Sequence, residues 1–214
     1  MNRTFAIGLA AFASAALCAS GAMAAKDDFD RASLGSKWVV PYGNLYINNN
    51  QLQGDTGSLG YHKKSSGDST VIATAYTNGS DLEYAAVAVG DIAGGTNAFV
   101  KLQAQDGTGN FTNGAFYTGN NGSGYFFVLD SPVPSPAIMT VSVCGTVATL
   151  KIKSAAGSQK YSYDYGASVG TGGGLGTYGN ASLDNYKSKA AACTAAVGAK
   201  MIKSSQGKDL SHTQ

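Results

Sequence analysis

Short β-branched and aromatic runs alternate with clusters of Gly, Asn, Asp and Ser along most of this 214-residue chain. That rhythm limits the fold more than any other feature of the sequence. The runs are of strand length, and the clusters between them have the chemistry of tight turns. The pattern predicts strands at Trp38–Val40, Leu45–Ile47, Gln51–Gln53, Val71–Tyr76, Leu82–Val89, Ala98–Gln105, Ala115–Thr118, Tyr125–Leu129, Ile138–Cys144, Val147–Lys153, Lys160–Tyr165 and Gly174–Tyr178. Proline is almost absent from them. Turns are expected at Asn78-Gly79, Asp106-Gly107, Asn113-Gly114, Asn121-Gly122 and Cys144-Gly145, where Gly and Asn tolerate the positive φ of a hairpin. No convincing helix precedes residue 187.

Alternation is clearest at Thr140–Val143 and Val147–Lys153. There Val141 and Val143 share one face, and so do Leu150 and Ile152. A dozen strands of this kind must each bury one face. The fold class is therefore all-β, with two stacked antiparallel sheets or a closed barrel as the stable arrangements.

The N-terminus reads as a secretory signal: Arg3, an apolar run from Phe5 to Leu17, and a small-x-small site ending at Ala24. Residues 1–24 are expected to be removed by cleavage near Ala24, which delivers the protein to a periplasm or the extracellular space. No later segment is long and apolar enough for a membrane span. Loss of Arg3 leaves 14 Lys+Arg against 13 Asp+Glu, a balance that offers nucleic acid no basic face. Cys18 is expected to leave with the signal. Cys144 and Cys193 then remain; they can pair in an oxidising compartment or stand as two separate thiols. Residues 189–214 read as a loose basic tail or a weak helix.

Two stretches resemble the ends of a known architecture. Asp28-Phe29-Asp30-Arg31, Leu34-Gly35, Trp38 and Gly43–Ile47 with Gln51-Leu52 resemble the opening of the concanavalin A-like lectin/glucanase jelly roll, in its laminin-G-like bacterial branch. Gly172–Gly179 with Leu183-Asp184-Asn185-Tyr186 resembles its Gly-rich strand and Asp-Asn-aromatic close. The resemblance implies one two-sheet antiparallel β-sandwich of jelly-roll type over residues 27–188. Glucan-cleaving members carry two glutamates near the spacing Glu-x-Asp-x-Glu. This chain has a single glutamate, Glu83, so the likeness to the hydrolases stops at the fold.

Catalytic motifs are scarce. Asp81 and Glu83 would share a strand face, but they read more simply as polar residues at a strand entrance. His62 and His212 have no triad or zinc-ligand context. The Gly172–Gly174 run lacks the helix and lysine of a phosphate loop. No cofactor is required by the pattern. A structural calcium ion is allowed, with Asp28, Asp30 and Asp184 as the ligand set if the terminal strands pair; otherwise these aspartates serve turns.

The remaining site is a polar, aromatic sheet face. Phe99, Lys101, Gln103 and Gln105 are two apart on one strand and point the same way, toward solvent, while Val100, Leu102 and Ala104 enter the core. Tyr117 and Tyr125, on the neighbouring strands, are the rings expected to stack on a sugar. The expected function is a secreted, non-catalytic carbohydrate-binding module for a polysaccharide or a glycoprotein glycan. The alternatives are a structural or adhesive surface protein and, less favoured, a glycoside hydrolase or polysaccharide lyase.

Overall fold

The computed structural model describes residues 25–79, 82–119, 122, 124–190 and 200–202. The signal-like segment 1–24, Asp81, Asn121, Cys193, His212 and most of the expected tail lie outside the described residues.

The strands are β1 (Lys26–Asp27), β2 (Trp38–Tyr42), β3 (Leu45–Asn48), β4 (Gln51–Gly54), β5 (Ser58–His62), β6 (Thr70–Tyr76), β7 (Tyr84–Asp91), β8 (Thr96–Gln103), β9 (Asn110–Thr118), β10 (Gly124–Pro134), β11 (Ala137–Cys144), β12 (Val147–Ser154), β13 (Gly157–Asp164), β14 (Gly173–Tyr178), β15 (Ser182–Lys189) and β16 (Lys200–Met201). All twelve expected strands are present. The sequence pattern missed four: β5, which Gly60 interrupts, β15, whose outward positions are polar, and the two-residue β1 and β16. Among the described residues the only helical element is a 3-10 turn at Lys63–Ser65, and no helix is long and apolar enough to cross a membrane.

Two sheets form. One has nine strands in the order β16-β13-β12-β11-β6-β15-β4-β3, with β1 beside β15; the other has seven, in the order β10-β9-β8-β7-β14-β5-β2. Every pairing is antiparallel except β13 with β16. The inward residues of both sheets make one apolar core, in which Val71, Val87, Val100, Phe116, Val141, Leu150, Leu175 and Leu183 are fully enclosed. Each such side chain contributes about 1.5–3 kcal/mol by leaving water. The molecule is thus an all-β, two-sheet antiparallel sandwich.

Turn chemistry follows the residues. Asn49 and Asn50, at φ 50° and 59°, close the β3–β4 hairpin with the two positive φ angles such a turn needs. Gly145 closes β11–β12, where Val141 meets Leu150 and Met139 meets Ile152. One expectation fails: Asn113-Gly114 lies inside β9 and makes no turn. A Cβ on Gly114 would stand 2.3 Å from the Phe127 ring, so the glycine serves close packing.

Strand β1 pairs with β15, which places Asp27 opposite Tyr186. The buried Asp27 carboxylate fixes this junction. Its Oδ1 accepts from Arg31 Nη1 at 2.5 Å and the Phe29 N–H at 3.0 Å; its Oδ2 accepts from Arg31 Nη2 at 2.7 Å and Trp38 Nε1 at 2.8 Å. Burial pushes this carboxyl up, but the hydrogen bonds from Arg31, Trp38 and Phe29 outweigh it and hold it below the usual aspartate range. Trp38 in turn packs against Phe29, His62 and Tyr186. Within the expected tail, Met201 pairs with Ser162, and Ile202 is buried. Cys144 is disulfide-bonded.

Asp27→Ala leaves the indole N–H and the guanidinium without their acceptor. We expect a loss on the order of 3 kcal/mol in urea unfolding at pH 7. A midpoint equal to that of wild type would show that this carboxylate does not hold the β1–β15 junction together.

Candidate functional site

The seven-stranded sheet carries a second apolar cluster on the face turned away from the core. Leu59, Ala86, Ala88, Ile92 and Phe99 are buried there, with Tyr61, Tyr84 and Tyr117 packed around them. Pairing register explains the layout. Tyr117, Phe99, Ala88, Gly174 and Tyr61 form one row across β9, β8, β7, β14 and β5. Ala115, Lys101, Ala86, Gly176 and Leu59 form the next row, and Asn113, Gln103, Tyr84 and Tyr178 the one after.

The central strands make this face possible because they offer little bulk. A Cβ on Gly176 would stand 2.8 Å from Phe99 Cε2, and one on Gly174 would stand 2.6 Å from Ile92 Cδ1. Phe99 therefore lies across a floor of Gly176 and its alanine neighbours, and it is only 1 % exposed. This corrects one expectation: the row does face away from the core, but at Phe99 it is not open to water.

Lys101 stands at the centre. Its Nζ lies 4.0 Å from the centroid of the Tyr84 ring, 4.5 Å from that of Tyr117 and 5.3 Å from that of Phe99. Tyr84 stacks on Tyr178 at 5.5 Å and meets Phe99 edge-on. Among the described residues no carboxylate answers Lys101. Burial pushes its ammonium down to about 8. Burial also pushes the Tyr84 phenol up to about 12, with Tyr178 and Tyr117 adding to it.

The other expected residues divide. Gln103 is half-buried on this face. Gln105 lies past the end of β8 and accepts from Asn113 Nδ2 at 2.7 Å. Tyr125 does not share the face. It pairs opposite Phe116, a core residue, and packs on Tyr163 at 4.7 Å. The alternation of β10 was readable in the sequence, but which parity faced inward was not. Conversely, Tyr61, Tyr84 and Tyr178 were missed. Gly174-x-Gly176-x-Tyr178 and Tyr84-x-Ala86-x-Ala88 carried the signal, a bulky ring at the end of a same-face run of small residues. Beside Tyr61 and Ile92 a cavity of ≈ 180 Å³ opens against Gly90, Asp91 and Thr171.

Glu83 has a different task. Its Oε1 accepts from Thr77 Oγ1 and, at 2.9 Å each, from the N–H groups of Asn78 and Gly79. It thereby holds the turn before β7. The three aspartates considered for calcium do not gather into one group. Asp30 accepts from Asn50 Nδ2 at 2.9 Å, and Asp184 accepts from its neighbour Asn185. Among the described residues no three His, Cys, Asp or Glu side chains stand together as a metal site would require.

Lys101 sets two opposing effects against each other. Desolvation disfavours its charge, while cation–π contact with three rings returns about 1–2 kcal/mol. The lowered pKa means that the unfolded chain binds the proton more tightly. The charge thus costs stability below about pH 8, and the cost fades as pH rises from 8 toward 10.5. Lys101→Met should be more stable than wild type by about 1–3 kcal/mol at pH 7, with the gap closing above pH 10. Equal melting temperatures at pH 7 would contradict this burial.

No family model matches the chain, and neither does any curated protein. Solved structures do. A prokaryotic β-1,3-1,4-glucanase (lichenase) derived from a mouse hindgut metagenome has a TM-score of 0.50 at 12% identity, over 78% of this chain and 98% of that one. Lectin II from Ulex europaeus gives 0.49 at 13% identity, over 79% and 99%. Bacteroides ovatus Xyloglucan PUL GH43B gives 0.49 at 16% identity, over 76% of this chain but 37% of that one. The chain thus spans little more than a third of the last protein. Together with the sheet order, the likeness to the lichenase shows that the chain has the concanavalin A-like lectin/glucanase fold.

Proposed function

We propose that this is a secreted domain that binds carbohydrate without cleaving it, through the outer face of the seven-stranded sheet. The observation that supports the reading is the concentration of Tyr84, Tyr117 and Tyr178 around Lys101 and Gln103 in three adjacent rows. Sugars present apolar C–H faces that stack on rings, and hydroxyls that meet amides and phenols. Tyr178 is 38% exposed and is stacked in place by Tyr84, so it offers a ring already held in position. The Gln103 amide and the Tyr84 and Tyr117 hydroxyls have no hydrogen-bond partner among the described residues, which leaves them free for a ligand.

Cleavage of a glycosidic bond normally needs two carboxylates flanking it. Glu83, the chain's single glutamate, is engaged with the backbone of residues 77–79, and the described part of this face carries no ion-paired carboxylate beside Lys101. The solved structures of like fold bear names of both kinds, a glucanase and a lectin among them. The choice of binding over hydrolysis therefore rests on the residues of the face itself.

A glycan array supplies the ligand, and two substitutions test the face. Tyr178→Ala and Gln103→Ala should each weaken binding by on the order of 1–2 kcal/mol. Gln103→Ala should leave the melting temperature within a degree or two of wild type. Unchanged binding in both variants would place the ligand elsewhere, and release of reducing sugar from the bound polymer would replace binding with hydrolysis.

A further inference from the structure

Lys101 poses a chemical problem that the fold alone does not explain. The position sits between Ala86 on β7 and Ala115 on β9, and small or apolar residues fill most of the surroundings. A methionine would fill the same space with no cost of burying charge. The ammonium is instead held among rings that accept no proton and offer no counter-charge. Tyr84 faces it from β7 and Tyr117 from β9, while Tyr178 from β14 stands behind Tyr84. Burial holds the Tyr84 and Tyr117 phenols up, so they stay neutral donors. Among the described residues no acidic or basic group faces Lys101 from any packed element, and burial alone accounts for its shift. Gln103, two residues along the same strand, adds an amide N–H₂.

The site is thus rich in donors and holds one positive charge, with no anion of its own among the described residues. We propose that Lys101 is the receptor for an anionic group on the bound glycan, a carboxylate or a sulfate ester, so that the ligand is an acidic polysaccharide. This assignment rests on the glycan-binding reading and narrows it. The ligand's anion supplies the counter-charge that the protein leaves out. The rings on either side hold the ammonium in place, and the Gln103 amide and tyrosine hydroxyls complete the anion's hydrogen bonds. Binding should then depend on the lysine's protonation and weaken as pH rises through its titration.

Two matched pairs of polymers separate the sources of the charge: polygalacturonate against fully methyl-esterified pectin, and dextran sulfate against dextran. Wild type should bind at least one acidic member about tenfold or more tighter than its neutral partner at pH 6, and the preference should shrink at pH 10. Which pair shows it identifies carboxylate or sulfate. Lys101→Met, which keeps the unbranched apolar stem and removes the ammonium, should lose the preference. Lys101→Arg should keep it at both pH values. Lys153→Met, an exposed charge on the other sheet, should leave it unchanged, which excludes general attraction of a polyanion. Equal binding of acidic polymer by Lys101→Met and wild type overturns the proposal, and so does failure of wild type to bind either acidic polymer. In that second case, binding of neutral array glycans that is lost in Tyr178→Ala and Gln103→Ala would leave the broader glycan reading standing.

Discussion

Missing bulk at the middle of the seven-stranded sheet is the constraint from which its outer face follows. Ala86 and Ala88 on β7 and Gly174 and Gly176 on β14 lie side by side and are buried on a face turned away from the core. A side chain at Gly174 or Gly176 would collide with Phe99, Ile92 or the backbone of β5. Because they are small, Phe99 can lie flat across them, and the tyrosines at the margins can lean inward over Lys101. A sheet face that would otherwise be a solvated surface becomes a shallow aromatic basin with a lysine in it. The inner face of the same strands, with Val87, Val89 and Leu175, does the ordinary work of the core.

The fold was legible in the sequence for local reasons. Turn residues and two-residue alternation are short-range signals, and they placed the β11–β12 hairpin with the correct inward residues. The same alternation on β8 separated Val100 and Leu102 from Phe99 and Lys101. What was not legible depends on partners. Alternation divides a strand into two faces but does not say which one meets the core, and Tyr125 was misplaced for that reason. Nor does it say whether an outward residue is covered. Phe99 was expected in water, and it is enclosed because strands distant in sequence bring glycine and tyrosine beside it. Strand β15 has no apolar alternation to read, because Leu183 and Tyr186 are its only apolar residues and its other buried positions, Ser182 and Ser188, are polar.

The terminal motifs show the same limit in another form. Their meeting was anticipated, and Asp27 does pair opposite Tyr186. The residue that organises the junction, however, is Asp27, and not the aspartates at 28, 30 and 184. Four donors converge on one buried carboxylate from Arg31, Trp38 and the chain itself. Spacing cannot identify such a node, because Asp27 and Asp28 are neighbours of identical chemistry. Only the path of the chain decides which one turns inward.

The junction, centred on Asp27, and the basin, centred on Lys101, are built from different residues and perform separable tasks, one closing the sandwich and the other presenting a surface. The central claim is that the surface is where ligand sits. Its most direct test is backbone and methyl NMR of the isotopically labelled domain, titrated with a saturating oligosaccharide from the array. Shifts should concentrate on the outward residues of β7, β8, β9 and β14, with Ala86, Lys101, Ala115 and Gly176 among the largest, while the junction at Asp27 stays unmoved. Shifts centred on Asp28, Lys37 and Asn185, with the basin silent, would contradict the account.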